Sequence, residues 1–301
     1  MTALRVWLSD PNPASRRQAR LGQLWLAWRR IRRNRLAMAG LVIVAVLLVV
    51  AAFAPWIAPH DPLAQDLARR LLAPGTPGNL LGTDDFGRDI LSRIIFGARI
   101  TLYIIALVAV TAPVLGLLIG TVAGYFGGWV DATLMRLTDI FLAFPRLILA
   151  LALVAVLGPG IENAVLAIAL TAWPPYARVA RAETLTVRSS DYIAAIRLQG
   201  ASAARIIAGH VVPMCLPSVI IRVTLDMAGV ILIAAGLGFL GLGVLPPTPE
   251  WGLMISSGRK FLFEQWWVAT MPGLAIFIVS LGFNLLGDGL RDVLDPRSAS
   301  R

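Results

Sequence analysis

Six long apolar segments, separated by polar or glycine-rich stretches, dominate the pattern along the chain. They lie at residues 36–59, 100–130, about 138–157, 163–176, 216–243 and 268–287. A helix needs about 20 apolar residues to cross the hydrocarbon of a bilayer. We expect Pro174-Pro175 to kink or end the fourth segment, because proline disrupts a helix interior. The pattern predicts an all-α, polytopic membrane protein with six transmembrane helices.

Composition agrees with a membrane protein. The chain is 57% hydrophobic with a mean hydropathy of +0.76, and 15% of its 301 residues are charged, against about 25% in a soluble domain. One soluble core of this size could not hide so much apolar surface. Cys215 is the single cysteine, so an internal disulfide is excluded.

The basic residues predict an orientation and a division of the chain. Nine arginines precede residue 36: Arg5, Arg16, Arg17, Arg20, Arg29, Arg30, Arg32, Arg33 and Arg35. A basic cluster beside an apolar segment is typical of a cytoplasmic anchor, and no aromatic-basic surface accompanies it for nucleic acid. The Ala52-Phe53-Ala54 sequence resembles a signal-peptidase site, but the long basic region favours a retained anchor.

With six spans, both termini lie on one side. Segments 1–35 and 178–215 hold fourteen arginines against three acidic residues, whereas segments 60–99 and 246–267 each balance to zero. The asymmetry predicts cytoplasmic N and C termini. We therefore expect a basic cytoplasmic tail over 1–35, a transmembrane domain over 36–290 with an outer loop at 60–99, and a cytoplasmic tail over 291–301.

Motifs of enzyme chemistry are missing. The glycines of "GLGFLG" at 236–241 lie inside an apolar span without the strand that a dinucleotide fold requires. Lys260 is the single lysine and lacks the context of a phosphate loop, so we expect no ATP site and no cofactor on this chain. His60 and His210 are the only histidines, and no metal-ligand spacing exists.

Charged residues inside spans are candidate functional groups. Arg222 and Asp226 are four residues apart, so they share a helix face and are expected to pair. Asp139 and Arg146 lie two turns apart on the third span. Two interpretations stay open, helix locking near the inner interface and a proton or substrate relay.

Two further stretches predict local structure. Gly116, Gly120 and Gly124 recur every four residues, which favours close helix packing. In the inner segment 189–217, Ser190 or Asp191 is expected to cap a short helix with Tyr192, Ile193 and Ile196 on one face. Gly200 should end it with a positive φ, before a second helix that is broken near Pro213. This predicts a rigid knob; the alternative is an interfacial helix lying on lipid.

Four stretches resemble the second permease subunit of dipeptide and oligopeptide ABC importers, in the order of that family. They are "LGTDDFGRDILSRIIFGAR" at 81–99, segment 191–213, "PPTPEWGLMIS" at 246–256 and "FNLLGDGLRDVLDPR" at 283–297. Segment 191–213 is similar to the coupling motif of importer permeases: EAA, three residues, Gly, nine residues, Ile, any residue, Leu-Pro. Ala195, Gly200 and Pro213 match. Ala194 replaces the glutamate, and the other departures are Ile196, His210 and Val212.

The resemblance implies the fold of a type I ABC importer permease in the bacterial inner membrane. It implies a homologous second permease, two ATPase subunits that bind ATP and Mg²⁺, an extracytoplasmic peptide-binding protein, and membrane lipid. Residues implied to couple to the ATPases are Asp191, Tyr192, Ile193, Ala194, Ala195, Ile196, Gly200, Ala201, Ser202, Arg205, His210 and Pro213. The outer family motif comprises Gly82, Thr83, Asp84, Asp85, Gly87, Arg88 and Asp89.

The outer motif also has a physical interpretation. Asp84, Asp85 and Asp89 are placed to cap the helix that enters the membrane, and Arg88 and Arg93 to pair with them. The function implied is a non-catalytic permease for dipeptides or oligopeptides. Alternatives are a related permease for nickel chelates or glutathione, a proton-coupled transporter using Asp139, Asp226 or Asp288, and a membrane protein without transport.

Overall fold

The structure, a computed structural model, describes Trp7 and residues 15–294. Over these residues the chain is helical and, apart from two isolated bridges in the outer loop, contains no β-strand. We number the helices of this range in chain order. They are α1 Arg16–Arg33, α2 Arg35–Ala52, α3 Ala54–Ile57, α4 Ile90–Phe126, α5 Gly128–Ala143, α6 Arg146–Leu157, α7 Ile161–Arg188, α8 Asp191–Leu198, α9 Ala203–Ile206, α10 Val212–Phe239, α11 Trp251–Gly258 and α12 Trp267–Leu294. The predicted all-α class is confirmed.

Four helical segments are each long and apolar enough to cross a bilayer. They are Arg35–Ala52, Ile90–Phe126, Ala203–Phe239 and Trp267–Asp292, and the bent pair α5 and α6 makes a fifth if it forms one span. Helix α7 has 28 residues, enough for about 42 Å, but its C-terminal half carries Arg178, Arg181, Glu183 and Arg188. The six predicted segments are therefore not matched one to one.

The third predicted span is not continuous. Helices α5 and α6 meet at an angle of 93°, with Phe144 extended at φ −97°, ψ 141° just before Pro145. Proline disfavours the helical conformation in the residue before it, which accounts for the break. The fourth predicted span was expected to kink or end at Pro174-Pro175, but α7 continues through both prolines to Arg188. Trp173, Pro174, Tyr176 and Ala177 are buried there, so packing outweighs the local cost of proline.

The glycine stripe of α4 lies against α7, as predicted. A Cβ added at Gly116 would lie 2.9 Å from the backbone nitrogen of Ala177, and one at Gly124 would lie 2.8 Å from Cβ of Thr184. Ordinary contacts are longer, so only glycine permits this approach. A second close crossing joins α2 and α12, where Gly40 faces backbone atoms of residues 282–286.

The predicted division of the chain stays a prediction, to which the structure adds two features. The basic tail contains helix α1, which packs against α2 and α12. Helix α12 continues past residue 290 to Leu294. The predictions for residues 1–6, 8–14 and 295–301 lie outside the described residues.

Candidate functional site

Asp84 is the centre of the outer motif. Its buried carboxylate accepts the backbone N–H groups of Phe86 at 2.9 Å and Arg88 at 3.0 Å. The same carboxylate pairs with Nε of Arg88 at 2.7 Å and Nε of Arg93 at 3.6 Å. The predicted pairing with arginine is confirmed. The predicted capping role of Asp84 is wrong, because its oxygens close the turn that precedes the helix.

Asp89 is the residue that caps α4. Its carboxylate accepts the backbone N–H and the hydroxyl of Ser92 at 2.8 and 2.7 Å, and the amide of Asn79 at 2.9 Å. Asp85 caps nothing; it pairs with Nζ of Lys260 at 3.1 Å and so joins the two outer loops. Because all three aspartates precede α4 closely in sequence, each was expected to cap it. Only Asp89 occupies the N-cap position, from which a carboxylate reaches the N–H groups of the first turn.

The other residues of the motif shape its backbone. Thr83 donates a hydroxyl hydrogen bond to the Arg69 carbonyl at 2.5 Å and accepts the Leu72 N–H at 2.8 Å. Gly82 and Gly87 have φ values of +79° and +74°, and a Cβ at Gly87 would overlap the carbonyl of Asp66. The motif therefore folds the outer loop onto the start of α4.

The inner segment forms the predicted helix and turn. Ser190 is the N-cap of α8, its side chain accepting the N–H of Ile193, so Asp191 is the first helical residue and not the cap. Gly200 ends the turn at φ +82°, and Ser202 caps the next helix by accepting the N–H of Arg205. We call residues 190–202 the knob.

The predicted common face of the knob is split. Ile193 is fully buried and Ile196 half-buried. Tyr192 is exposed, and its hydroxyl lies 2.7 Å from Nδ1 of His210, in the turn that precedes α10. Ala194 and Ala195 are exposed, and Leu198 is 91% exposed. The knob thus presents a small apolar surface away from the bundle.

The predicted break near Pro213 is wrong. A π-helical turn, Ile207–Val211, connects α9 to α10, and Ala203–Phe239 forms one apolar helical segment. Proline removes a hydrogen bond and crowds the carbonyl four residues earlier. The widened turn, in which Val212 N–H bonds to the Ile207 carbonyl, accommodates Pro213 without ending the helix.

Contacts that hold the knob were not predicted. Arg188 donates to the carbonyls of Gly124 and Tyr125 at 2.9 and 3.2 Å, at the end of α4. The Arg197 guanidinium lies 5.0 Å from the centre of the Tyr125 ring, and its Nε donates to the hydroxyl at 3.3 Å. Together with the Tyr192–His210 bond, these contacts tie the knob and the preceding end of α7 to the end of α4 and to the π-helical turn before α10.

The predicted Arg222–Asp226 pair is also wrong. Asp226 accepts from Nη1 of Arg146 at 2.8 Å and from the Tyr176 hydroxyl at 3.1 Å. Asp139, two turns before Arg146, pairs instead with Arg178 at 2.6 Å. Sharing a helix face permits a pair but does not require one, and the carboxylate of Asp226 turns toward neighbouring helices. Tyr176 was missed because it lies in an otherwise apolar part of α7.

Comparison with known proteins agrees with this architecture. Residues 116–300 match the family described as binding-protein-dependent transport system inner membrane component. Residues 22–74 match the N-terminal transmembrane domain of oligopeptide transport permease C.

Relatives extend the similarity over most of the chain. The dipeptide transport system permease protein DppC of Escherichia coli (strain K12) is 49% identical over 90% of this chain and 92% of its own. The di/tripeptide permease DppC of Pseudomonas aeruginosa is 46% identical over 90% and 91%. The probable D,D-dipeptide permease DdpC of E. coli is 41% identical over 98% and 99%.

The fold and the sequence matches together place this chain in the class of membrane transport permeases. The chain belongs to the family of inner membrane components of binding-protein-dependent transport systems.

Proposed function

We propose that this chain is one permease subunit of an ATP-driven importer and forms half of a pathway for dipeptides or short oligopeptides. The observation that carries the proposal is the knob, a short helix with an exposed apolar surface, tied to the end of α4 and to the π-helical turn before α10. The relatives named as dipeptide permeases support the substrate class.

The proposal assigns the chemistry to other subunits. Two ATPase subunits bind ATP and Mg²⁺ and dock on the knobs of this chain and of a homologous second permease. An extracytoplasmic binding protein delivers the peptide. The missing phosphate loop supports a non-catalytic role for this chain. The distribution of arginines supports an inner-membrane orientation with cytoplasmic termini and knob.

The helical path suggests how movement of the knob reaches the pathway. Residues Ala203–Phe239 form one helical segment of 37 residues, about 55 Å long at 1.5 Å per residue. His210, which contacts Tyr192 of the knob, and Asp226 both lie on it. Closure of the ATPases on ATP would displace the knob and tilt this segment. The tilt would open the bundle alternately to its two sides.

Transport by the reconstituted system tests the proposal. The permease pair, the ATPases and the binding protein are placed in liposomes, and uptake of a radiolabelled dipeptide is measured. We expect uptake that requires both ATP and binding protein and that persists when the proton gradient is dissipated. Uptake driven by a proton gradient without ATP would contradict the mechanism. ATP-driven uptake of glutathione or a nickel chelate, with dipeptides excluded, would contradict the substrate class.

A further inference from the structure

A polar cluster forms where the start of one helix meets the middle of two others that otherwise bury mainly apolar residues. Arg146 begins α6, Tyr176 lies in the middle of α7, and Arg222 and Asp226 lie in the middle of α10. Asp226 accepts from Arg146 at 2.8 Å and from Tyr176 at 3.1 Å. Three helices therefore meet at one carboxylate.

The cluster has more cationic than anionic groups. Two guanidinium groups face one carboxylate, and in the described residues Arg222 makes neither an ion pair with Asp226 nor one with another acid. Nε and Nη2 of Arg146 and Nε of Arg222 are buried without a hydrogen-bond acceptor in the same range. Buried donors without acceptors are costly, and those on a charged group especially so. The cluster therefore contains one guanidinium group more than its single carboxylate can neutralise.

The helix break adds to this positive potential. The chain bends by 93° between α5 and α6, and the N-cap residue of α6, Pro145, supplies no side-chain acceptor. The 12-residue helix α6 thus presents the positive end of its dipole beside the Arg146 side chain. The N-termini of half-helices are a recurrent means of binding anionic substrate groups in transporters.

Exposure indicates which surface the cluster faces. The Arg146 side chain is 22% exposed and that of Asp226 8%. A guanidinium in contact with hydrocarbon is strongly disfavoured, so we expect the exposed part of Arg146 to face a polar cavity or a protein surface. The pathway between the two subunits of a permease pair is a polar surface of this kind.

From these observations we infer that Arg146 and Arg222 form a binding site for the C-terminal carboxylate of the peptide in transit. This inference rests on the proposed function and specifies which chemical group of the substrate is bound. A guanidinium donates two parallel hydrogen bonds to a carboxylate, which suits a planar anion better than a lysine would. Asp226, which also accepts from Tyr176, orients Arg146. Both arginines supply buried donors that have no acceptor among the described residues.

Direct binding without the binding protein tests the inference. The permease–ATPase complex in nanodiscs is titrated with a labelled dipeptide and with the same dipeptide carrying a C-terminal amide. Wild type should bind the free acid about tenfold more tightly, the value of one charge-assisted hydrogen bond. In Arg222→Gln this preference should disappear while the affinity for the amide stays unchanged, which also shows that the variant is folded. Arg222→Lys should retain part of the preference.

Arg178→Gln is the matched control, since Arg178 is exposed and pairs with Asp139; it should keep the full preference. Equal affinities for acid and amide in wild type would overturn the inference, as would a full preference in Arg222→Gln. Equal loss of both affinities would assign Arg222 a structural role and would also overturn it. Because wild-type uptake is measured separately, each of these results leaves the proposed function standing.

Discussion

The replacement of Gly120 by alanine tests the close contact between α4 and α7. A Cβ there would overlap the carbonyl oxygen of Ala177 and lie 2.8 Å from Cβ of Ala180 and 2.9 Å from the nitrogen of Arg181. To restore ordinary contact, α4 and α7 must separate by roughly 0.5–1 Å, which forfeits a quarter to a half of the attraction of each affected atom pair. Overpacking of this kind costs about 1–3 kcal/mol.

Thermal unfolding of the purified protein in detergent measures this cost. Gly209→Ala is the matched control, because Gly209 is also helical but has no atom within 4 Å of an added Cβ. We expect Gly120→Ala to lower the unfolding temperature clearly and Gly209→Ala to leave it close to wild type. Equal unfolding temperatures for the two variants would refute the argument that the glycine stripe sets the distance between α4 and α7.

Three further outcomes follow from charged groups. Burial raises the pKa of Glu250, which lies outside the spans, to about 7 despite hydrogen bonds from Gly252 and Leu253. The folded state therefore binds this proton more tightly than the unfolded state, and the stability of the protein should fall as pH rises from about 4.5 to 7. Glu250→Gln should flatten this pH dependence in thermal unfolding. In the same assay, Asp226→Asn should destabilise the protein far more than Asp139→Asn. The Asp226 side chain, which pairs with Arg146, is buried, whereas the pair between Asp139 and Arg178 is exposed. A protease-sensitive tag at residue 1 should resist protease added outside intact cells, whereas a tag at Gly78 should be cut; the reverse pattern would contradict the topology.

Sequence patterns predicted those parts of the fold that depend on local chemistry. Ser190 and Asp89 cap their helices through side chains adjacent to the first turn, and Gly200 has the positive φ that its position after a short amphipathic helix suggests. The glycines of α4 predicted a close helix contact because small residues spaced four apart allow membrane helices to approach each other closely.

Tertiary contacts decided the features that the sequence did not predict. Proline had opposite effects at two sites: Pro145 accompanies a 93° bend, whereas Pro174 and Pro175 lie inside a continuous helix that is buried against α4. Asp226 could pair with Arg222 on its own helix, but the bundle brings Arg146 from 80 residues away. Contacts between distant segments leave no periodic trace in a single sequence.

Substitution of Gly200 tests the central claim, that the knob couples this permease to its ATPases. The φ of Gly200 is +82° and nothing lies within 4 Å of an added Cβ, so Gly200→Val imposes backbone strain of about 1–3 kcal/mol without a collision. Gly75→Val is the control, because Gly75 has a φ of +84° and equally open surroundings in the outer loop.

Membrane abundance, co-purification of the ATPases and dipeptide uptake are measured together for both variants. We predict that Gly200→Val reaches the membrane at normal abundance, loses most ATPase co-purification and abolishes uptake, while Gly75→Val keeps the ATPases bound. Normal uptake by Gly200→Val at normal abundance would show that the knob is not the coupling element and would contradict the account.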